Sequence, residues 1–242
     1  MIPSRITRQR WITRKSWDDI MASIKQSWAE DYYITDFDYG QGMYRLVMSQ
    51  GTGWSDQTIF FGSEFPEEKV QKYWGLGFHI TNVMHDGSDW IVVMSVVPEK
   101  VTQAWFTNPN WDGFKEKIHE YWGKGMVVSK IACKLGSTPE YCGIVTKYPS
   151  GRQQWAQYFP GGATTQQLVD LCEQGTMITD IYDVDGGVFA ITCSNTGWSE
   201  QTVCVRSDWN GVTQAVDKYW NEGFEITTIS FYQNQWYVIL SR

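Results

Sequence analysis

Apolar positions along the chain alternate between two periods, and the alternation itself recurs. Trp111, Phe114, Ile118, Tyr121 and Trp122 follow the spacing of one helical face, and Trp209, Val212, Val216, Tyr219 and Trp220 repeat it. Runs of strand type come after such a stretch. Ile80-Thr81-Asn82-Val83-Met84 is one. Trp90-Ile91-Val92-Val93-Met94-Ser95 is the next, and its apolar continuity predicts burial on both faces. Asp86-Gly87-Ser88-Asp89 between them predicts a hairpin, and Gln103 to Thr107 reads as a third strand. Pro66-Glu67-Glu68 carries the start signals of a helix. Gly77, Gly125, Gly175 and Gly223 stand where a left-handed C-cap favours glycine. The pattern predicts a unit of helix, strand, strand, strand, with helices outside and strands inside.

The unit occurs five times. Trp74-Gly75-Leu76-Gly77-Phe78-His79-Ile80-Thr81 returns as Trp122 to Ser129 and as Trp220 to Thr227, with weaker copies at Trp28 to Thr35 and Cys172 to Thr179. The equivalent Ile34, Ile80, Val128, Ile178 and Ile226 are spaced 46, 48, 50 and 48 residues apart. An aromatic residue precedes a Ser or Thr by five positions at Tyr44/Ser49, Trp90/Ser95, Tyr141/Thr146, Phe189/Ser194 and Trp236/Ser241. A Gln opens the third strand at Gln57, Gln103, Gln153 and Gln201. No such strand follows Ser241, but Gln9-Arg10-Trp11-Ile12-Thr13 resembles Gln103-Ala104-Trp105-Phe106-Thr107. The expected fold is α+β, a single domain over residues 1–242. It is a closed ring with fivefold pseudo-symmetry, an α/β propeller or pentein-like, with repeats at 16–63, 64–109, 110–162, 163–209 and 210–242. The strand in 1–15 is expected to complete the last repeat. An open array would need polar caps at both ends, whereas closure removes free sheet edges.

Composition narrows the function classes. The chain is 16% aromatic with 14 Trp, so an ordered fold is expected throughout. The net charge is −7, with +5 over residues 1–15 and therefore −12 on the rest. An acidic body argues against nucleic acid and anionic membranes as partners. The basic start fits a strand drawn into an acidic body. No apolar segment follows it, so a secretory leader is not expected, nor is a membrane span. Cys133, Cys142, Cys172, Cys193 and Cys204 are odd in number and form no C-x-x-C pair, which suggests buried, reduced thiols and an intracellular, cytoplasmic protein.

The series Trp, Gly-aromatic, Ile-Thr, then aromatic-x-x-x-Met-Ser, then Thr-Gly-Trp-Ser-Asp-Gln resembles a known repeat domain. It is similar to the C-terminal domain of unknown function in plant casein-kinase-1-like, histone-phosphorylating kinases, and to repeats beside bacterial caspase-like proteases. The resemblance covers all five units and is weakest in the third, around Pro139. No phosphate loop or kinase catalytic loop is present, so no activity carries over. The resemblance implies an accessory module.

Candidate chemistry centres on one repeated loop. Thr52-Gly53-Trp54-Ser55-Asp56-Gln57 recurs as Thr196-Gly197-Trp198-Ser199-Glu200-Gln201. An indole face beside carboxylate and amide groups suits sugars, peptides or cations; the structural alternative is a turn whose Trp packs on the next unit. Trp54, Ser55, Asp56, Gln57, Trp198, Ser199, Glu200 and Gln201 are the binding candidates. The Gln and Ser/Thr series either line the ring axis or satisfy backbone groups between units. His79, His85 and His119 lack metal-ligand spacing, and Asp183-Val184-Asp185-Gly186-Gly187 lacks the distal Glu of a calcium loop and reads as a hairpin turn. No catalytic triad, metal site or cofactor is expected. The leading reading is a non-catalytic scaffold with a protein partner. A glycan or small-ligand binding domain comes second, and a pentein-like enzyme third.

Overall fold

Helix starts are set where a side chain satisfies the first free N–H groups. The computed structural model describes residues 6–149, 151–172, 175–184 and 186–242. In it α1 spans Trp17–Trp28, α2 Glu67–Gly75, α3 Trp111–Gly123, α4 Thr165–Cys172 and α5 Trp209–Asn221. Ser16, Asn110 and Asp208 cap α1, α3 and α5 by accepting from the N–H three residues on. Gly77, Gly125, Gly175 and Gly223, just beyond α2 to α5, have φ between 70° and 87°, the left-handed exit expected of them.

Each helix joins strands of a three-stranded antiparallel sheet. The first unit holds β1 (Arg8–Arg14), β2 (Tyr33–Gly40) and β3 (Met43–Gln50). The second holds β4 (Asp56–Gly62), β5 (Phe78–His85) and β6 (Trp90–Val96), and the third β7 (Thr102–Asn108), β8 (Val127–Lys134) and β9 (Glu140–Lys147). The fourth holds β10 (Gln154–Pro160), β11 (Met177–Val184) and β12 (Gly187–Cys193), and the fifth β13 (Gln201–Arg206), β14 (Glu225–Tyr232) and β15 (Gln235–Ser241). Every sheet has the same order, first strand, third, second, as in β1-β3-β2.

This order corrects the expected phase of the repeat. β1 pairs with β3 residue by residue, from Arg8 with Gln50 to Arg14 with Tyr44, and does not lie in the last sheet. The unit is strand, helix, strand, strand. The third strand of each expected unit finds its ladder in the following sheet, because the free edge of the next middle strand is the one it can pair with. The likeness of Gln9–Thr13 to Gln103–Thr107 holds, since β1 and β7 occupy the same place in their sheets. Of the expected closing strand, residues 1–5 lie outside the described residues.

All five second strands are kinked at one point. The pairing register slips around Thr35, Thr81, Ser129, Thr179 and Thr227, each the extra residue of a β-bulge. The bulge hydroxyl meets a partner on the middle strand: Ser49 and Ser95 at 2.8 Å, Thr146 at 2.9 Å and Ser241 at 3.0 Å, with the Cys193 thiol at 3.4 Å in unit four.

A glutamine on each outer strand locks this arrangement to the preceding unit. Gln57 Oε1 accepts from the Ile34 N–H (2.7 Å) and the Trp28 indole (3.0 Å). Its Nε2 donates to the Ile34 carbonyl (3.0 Å) and the Ser95 hydroxyl (2.9 Å). Gln103 clamps Ile80 and Gln201 clamps Ile178 in the same way, and Gln9 of unit one clamps Ile226 of unit five. In unit four the residue is Gln154, not Gln153, and its middle-strand partner is Cys193, not Ser194. Gln153 and Ser194 form the next pair outward, joined through the Ser194 N–H at 3.0 Å. Counting five positions from Phe189 misplaced the register, because Val188 holds the place that an aromatic residue fills elsewhere.

The inner strands touch in the order β2, β5, β8, β11, β14 and again β2. Units one and five meet along a densely bonded seam. Asp36 accepts from the Ile229 N–H at 2.7 Å and Asp38 from the Phe231 N–H. Trp11 lies 5.0 Å from Trp209 and 5.5 Å from Trp220, and the Arg45 guanidinium lies 4.1 Å over Trp209. Gly40 permits this approach, since a Cβ there would fall inside the Phe231 ring's contact distance. The helices wedge between neighbouring sheets: Ile20 and Ile24 of α1 pack with Leu46 of their own unit and Ile91 and Val93 of the next. No described helix is long and apolar enough to cross a membrane.

Candidate functional site

The residue that follows each bulge points to the centre, where the five inner strands meet. These residues are Asp36, Asn82, Lys130, Asp180 and Thr228, all buried. They form one bonded chain. Asn82 donates to Asp36 (2.6 Å), Lys130 reaches Asp36 (2.9 Å) and Asp180 (2.6 Å), and Thr228 donates to Asp180 (2.9 Å). The two carboxylates hold the Lys130 ammonium well above its usual pKa despite burial, while burial pushes the Asp180 carboxyl up. Two cavities lie beside this polar plug, and Lys130 and Asp180 line both.

One cavity is acidic. About 40 Å³ in volume, it is lined by Asp36, Asp38, Asp180 and Asp183 against the single lysine. Burial, then the charge of Asp183, push Asp38 well above the usual carboxylate range, and burial pushes Asp183 up to about 6. The Asp183–Gly187 segment is the β11–β12 hairpin, with Val184 paired to Gly187; Asp185 lies outside the described residues.

The other cavity meets loops that join one unit to the next. About 30 Å³ in volume, it is lined by Trp198, Tyr148, Arg152 and the bulge residues Thr35, Ser129, Thr179 and Thr227. Arg152 stacks 4.0 Å over Tyr148. Trp198 is partly exposed here. Trp54 is 6% exposed and offers no open stacking face. The Ser55 N–H donates to Val96 (3.2 Å), and Asp56 accepts from the Gln57 N–H (2.7 Å). Ser199 and Glu200 are tied to Arg242, Glu200 by an ion pair of 2.6 Å. Gln57 and Gln201 carry the clamps already described. The repeated loop therefore brings one partly exposed indole, Trp198, into the lining of this cavity.

A second concave surface lies elsewhere. Trp155 on β10 is 48% exposed and stands among three grooves of about 350 to 430 Å³. Trp122, Ile118, Tyr158 and Phe189 line one of them beside Lys115 and His119, and Arg152 lines another. The residue after the clamp glutamine is Arg10, Thr58, Ala104 or Thr202 in the other units, and only unit four places a large aromatic there. With Gln153 taken as the clamp, Trp155 aligned with Trp11 and Trp105, which pack inward. The corrected register is the signal that marks it as a surface residue.

None of the five cysteines is in a disulfide; Cys142, Cys193 and Cys204 are buried enough to push their thiols up. Among the described residues no three His, Cys, Asp or Glu converge to hold a metal ion.

Two carboxyls give the fold a pH dependence. Burial raises Asp183 to about 6 and Glu225, whose Oε2 has no partner, to about 7. A carboxyl that holds its proton more tightly in the fold than in the unfolded chain favours the fold at low pH. That contribution is full below about pH 4 and is lost as pH rises through 6 and 7, on the order of 3 kcal/mol for Asp183. Thermal melts between about pH 4.5 and 8 are expected to show a falling Tm, and the Asp183→Asn/Glu225→Gln variant a flatter profile. Parallel profiles would contradict the assignment.

A family model described as "Domain of unknown function (DUF7477)" matches residues 9–157, which is units one to three and the start of unit four. No curated protein matches the chain in sequence.

Proposed function

The chain belongs to the family described as "Domain of unknown function (DUF7477)", and we propose that its five units close into a five-bladed α/β ring that acts as a non-catalytic protein-interaction module. The closure reading rests on the seam between units one and five, where Gln9 makes the same clamp as every other unit boundary. The interaction reading rests on one observation, the half-exposed Trp155 among its grooves. Trp and Arg are enriched among the few residues that carry most of the binding energy at protein interfaces. β10 ends its sheet, so its outer edge has no strand partner in its own unit. An extended segment of a partner would pair along that edge, with an apolar side chain against Trp155 and acidic residues near Lys115 and Arg152.

The test is affinity capture from a native lysate with wild type and a Trp155→Ser variant of matched Tm. The expected result is a partner retained by wild type and lost in the variant. An identical set of captured proteins contradicts this reading. So does saturable quenching of tryptophan fluorescence by a free sugar, which would support a glycan-binding domain instead.

A further inference from the structure

In the cavity beside Trp198 the bulge hydroxyls have committed their protons. Thr35 donates to the Val47 carbonyl, Ser129 to Ile144, Thr179 to Ile191 and Thr227 to Ile239. Lys130 is held by Asp36 and Asp180, at 2.9 Å and 2.6 Å, and Asp180 also accepts from Thr228. Burial keeps the Cys193 thiol protonated, so it adds no charge. Arg152 differs from all of these. Its guanidinium lies 4.0 Å over the Tyr148 ring, and its Nε has no hydrogen-bond partner. Glu99 acts on Tyr148 from a distance, but among the described residues no carboxylate forms an ion pair with Arg152. The Trp198 indole N–H, unlike those of Trp28, Trp74, Trp122 and Trp220, is not taken by a clamp glutamine. The sequence sets the arginine apart as well. Two places before the clamp glutamine the other units carry Thr7, Ser55, Val101 and Ser199, none of them charged.

We propose that this cavity binds a carboxylate group on the Arg152 guanidinium, with the hydrocarbon part of the ligand against Trp198. A guanidinium is a planar fork that matches the two oxygens of a carboxylate. The space of about 30 Å³ holds about two water-sized groups, which suits two oxygens and falls short of the four of a phosphate. Stacking on Tyr148 fixes the plane of the fork before a ligand arrives, which lowers the entropic cost of binding. The carboxylate already in the lining, Asp180, is engaged by Lys130 and Thr228 and leaves the arginine unpaired. Arg152 also lines a groove beside Trp155, so the carboxylate of a bound protein is one source and a free acid is another. The site stands whether or not a partner uses Trp155.

Sodium n-butyrate, replacing sodium chloride at constant ionic strength and near-neutral pH, is titrated into the full chain by calorimetry. Saturable one-to-one binding is expected, with n-butanol inert. Arg152→Gln, matched to wild type in Tm, binds at least about tenfold more weakly, the loss of a charge-assisted hydrogen-bonded pair. Arg152→Lys keeps the charge and still binds more weakly than wild type, because an ammonium has no planar fork. Trp155→Ser binds like wild type, since the cavity and not the groove holds the group. Nα-acetyl-alanine bound as tightly as butyrate assigns the site to a polypeptide C-terminus, and the α-amide of Nα-acetyl-glutamic acid bound so assigns it to an acidic side chain. Binding of butyrate alone assigns it to a free acid. Absence of saturation, undiminished affinity in both Arg152 variants, loss of binding in Trp155→Ser, or inorganic phosphate bound as tightly as butyrate overturns the proposal. None of these results bears on capture of a protein through Trp155, so the two readings fail separately.

Discussion

A chain lacking residues 1–14 is expected to lose its cooperative thermal transition and to aggregate. The deletion removes β1, which forms seven register pairs with β3, and so exposes the free edge of a buried middle strand. It also removes Trp11 from between Trp209 and Trp220. Loss of Gln9 leaves the Ile226 N–H and carbonyl, the Trp220 indole and the Ser49 hydroxyl without a shared partner. Each buried polar group left unpaired costs about 1–3 kcal/mol, and the sum approaches the roughly 5–15 kcal/mol that holds a typical domain folded. Calorimetry and light scattering check this. A soluble monomer that melts within a few degrees of wild type would show that unit one does not depend on β1.

Lys130→Met is expected to cost about 3–5 kcal/mol at neutral pH, because it strands Asp36 and Asp180 in the interior without their cation. For a chain of this size that is a fall of roughly 10 °C in Tm. Burial already raises the Asp180 carboxyl, so the penalty shrinks as pH falls and that group takes up a proton. The triple variant Asp36→Asn/Lys130→Met/Asp180→Asn is expected to recover most of the loss, since removing a whole buried ion network is far less costly than breaking one. Asp36→Asn keeps an acceptor for the Ile229 N–H. A single variant that melts like wild type would mean that the plug is solvated rather than dry.

The sequence carried the helices, the five-part repeat and the glutamine series, because each rests on local pattern. Gln57 and Gln201 stand among the binding candidates of the repeated loop, and in the structure each side chain, with two acceptor sites and two donors, bridges the backbone of a neighbouring unit. The phase of the repeat was hidden, because periodicity gives spacing but not which edge a strand pairs with. The shift from Gln153 to Gln154 was hidden for a related reason. Unit four replaces the serine of its middle strand with Cys193, so the Ser/Thr pattern points one residue too far. The plug escaped notice because Asp36, Asn82, Lys130, Asp180 and Thr228 are four different residue types at five equivalent positions. A repeat search rewards sameness, and these positions differ because they must complement one another.

Ring closure is the claim on which the account depends, and a circular permutant tests it most directly. Arg242 is joined to Met1, and new ends are cut in the loop between β6 and β7. Arg242 and residues 1–7 then bridge β15 to β1, a longer link than the 51–55 segment that joins β3 to β4. If the five units form a closed ring, the permutant folds to a monomer with a single cooperative melt within a few degrees of wild type. If it stays unfolded or aggregates while wild type folds, units one and five do not meet as described, and the ring is open.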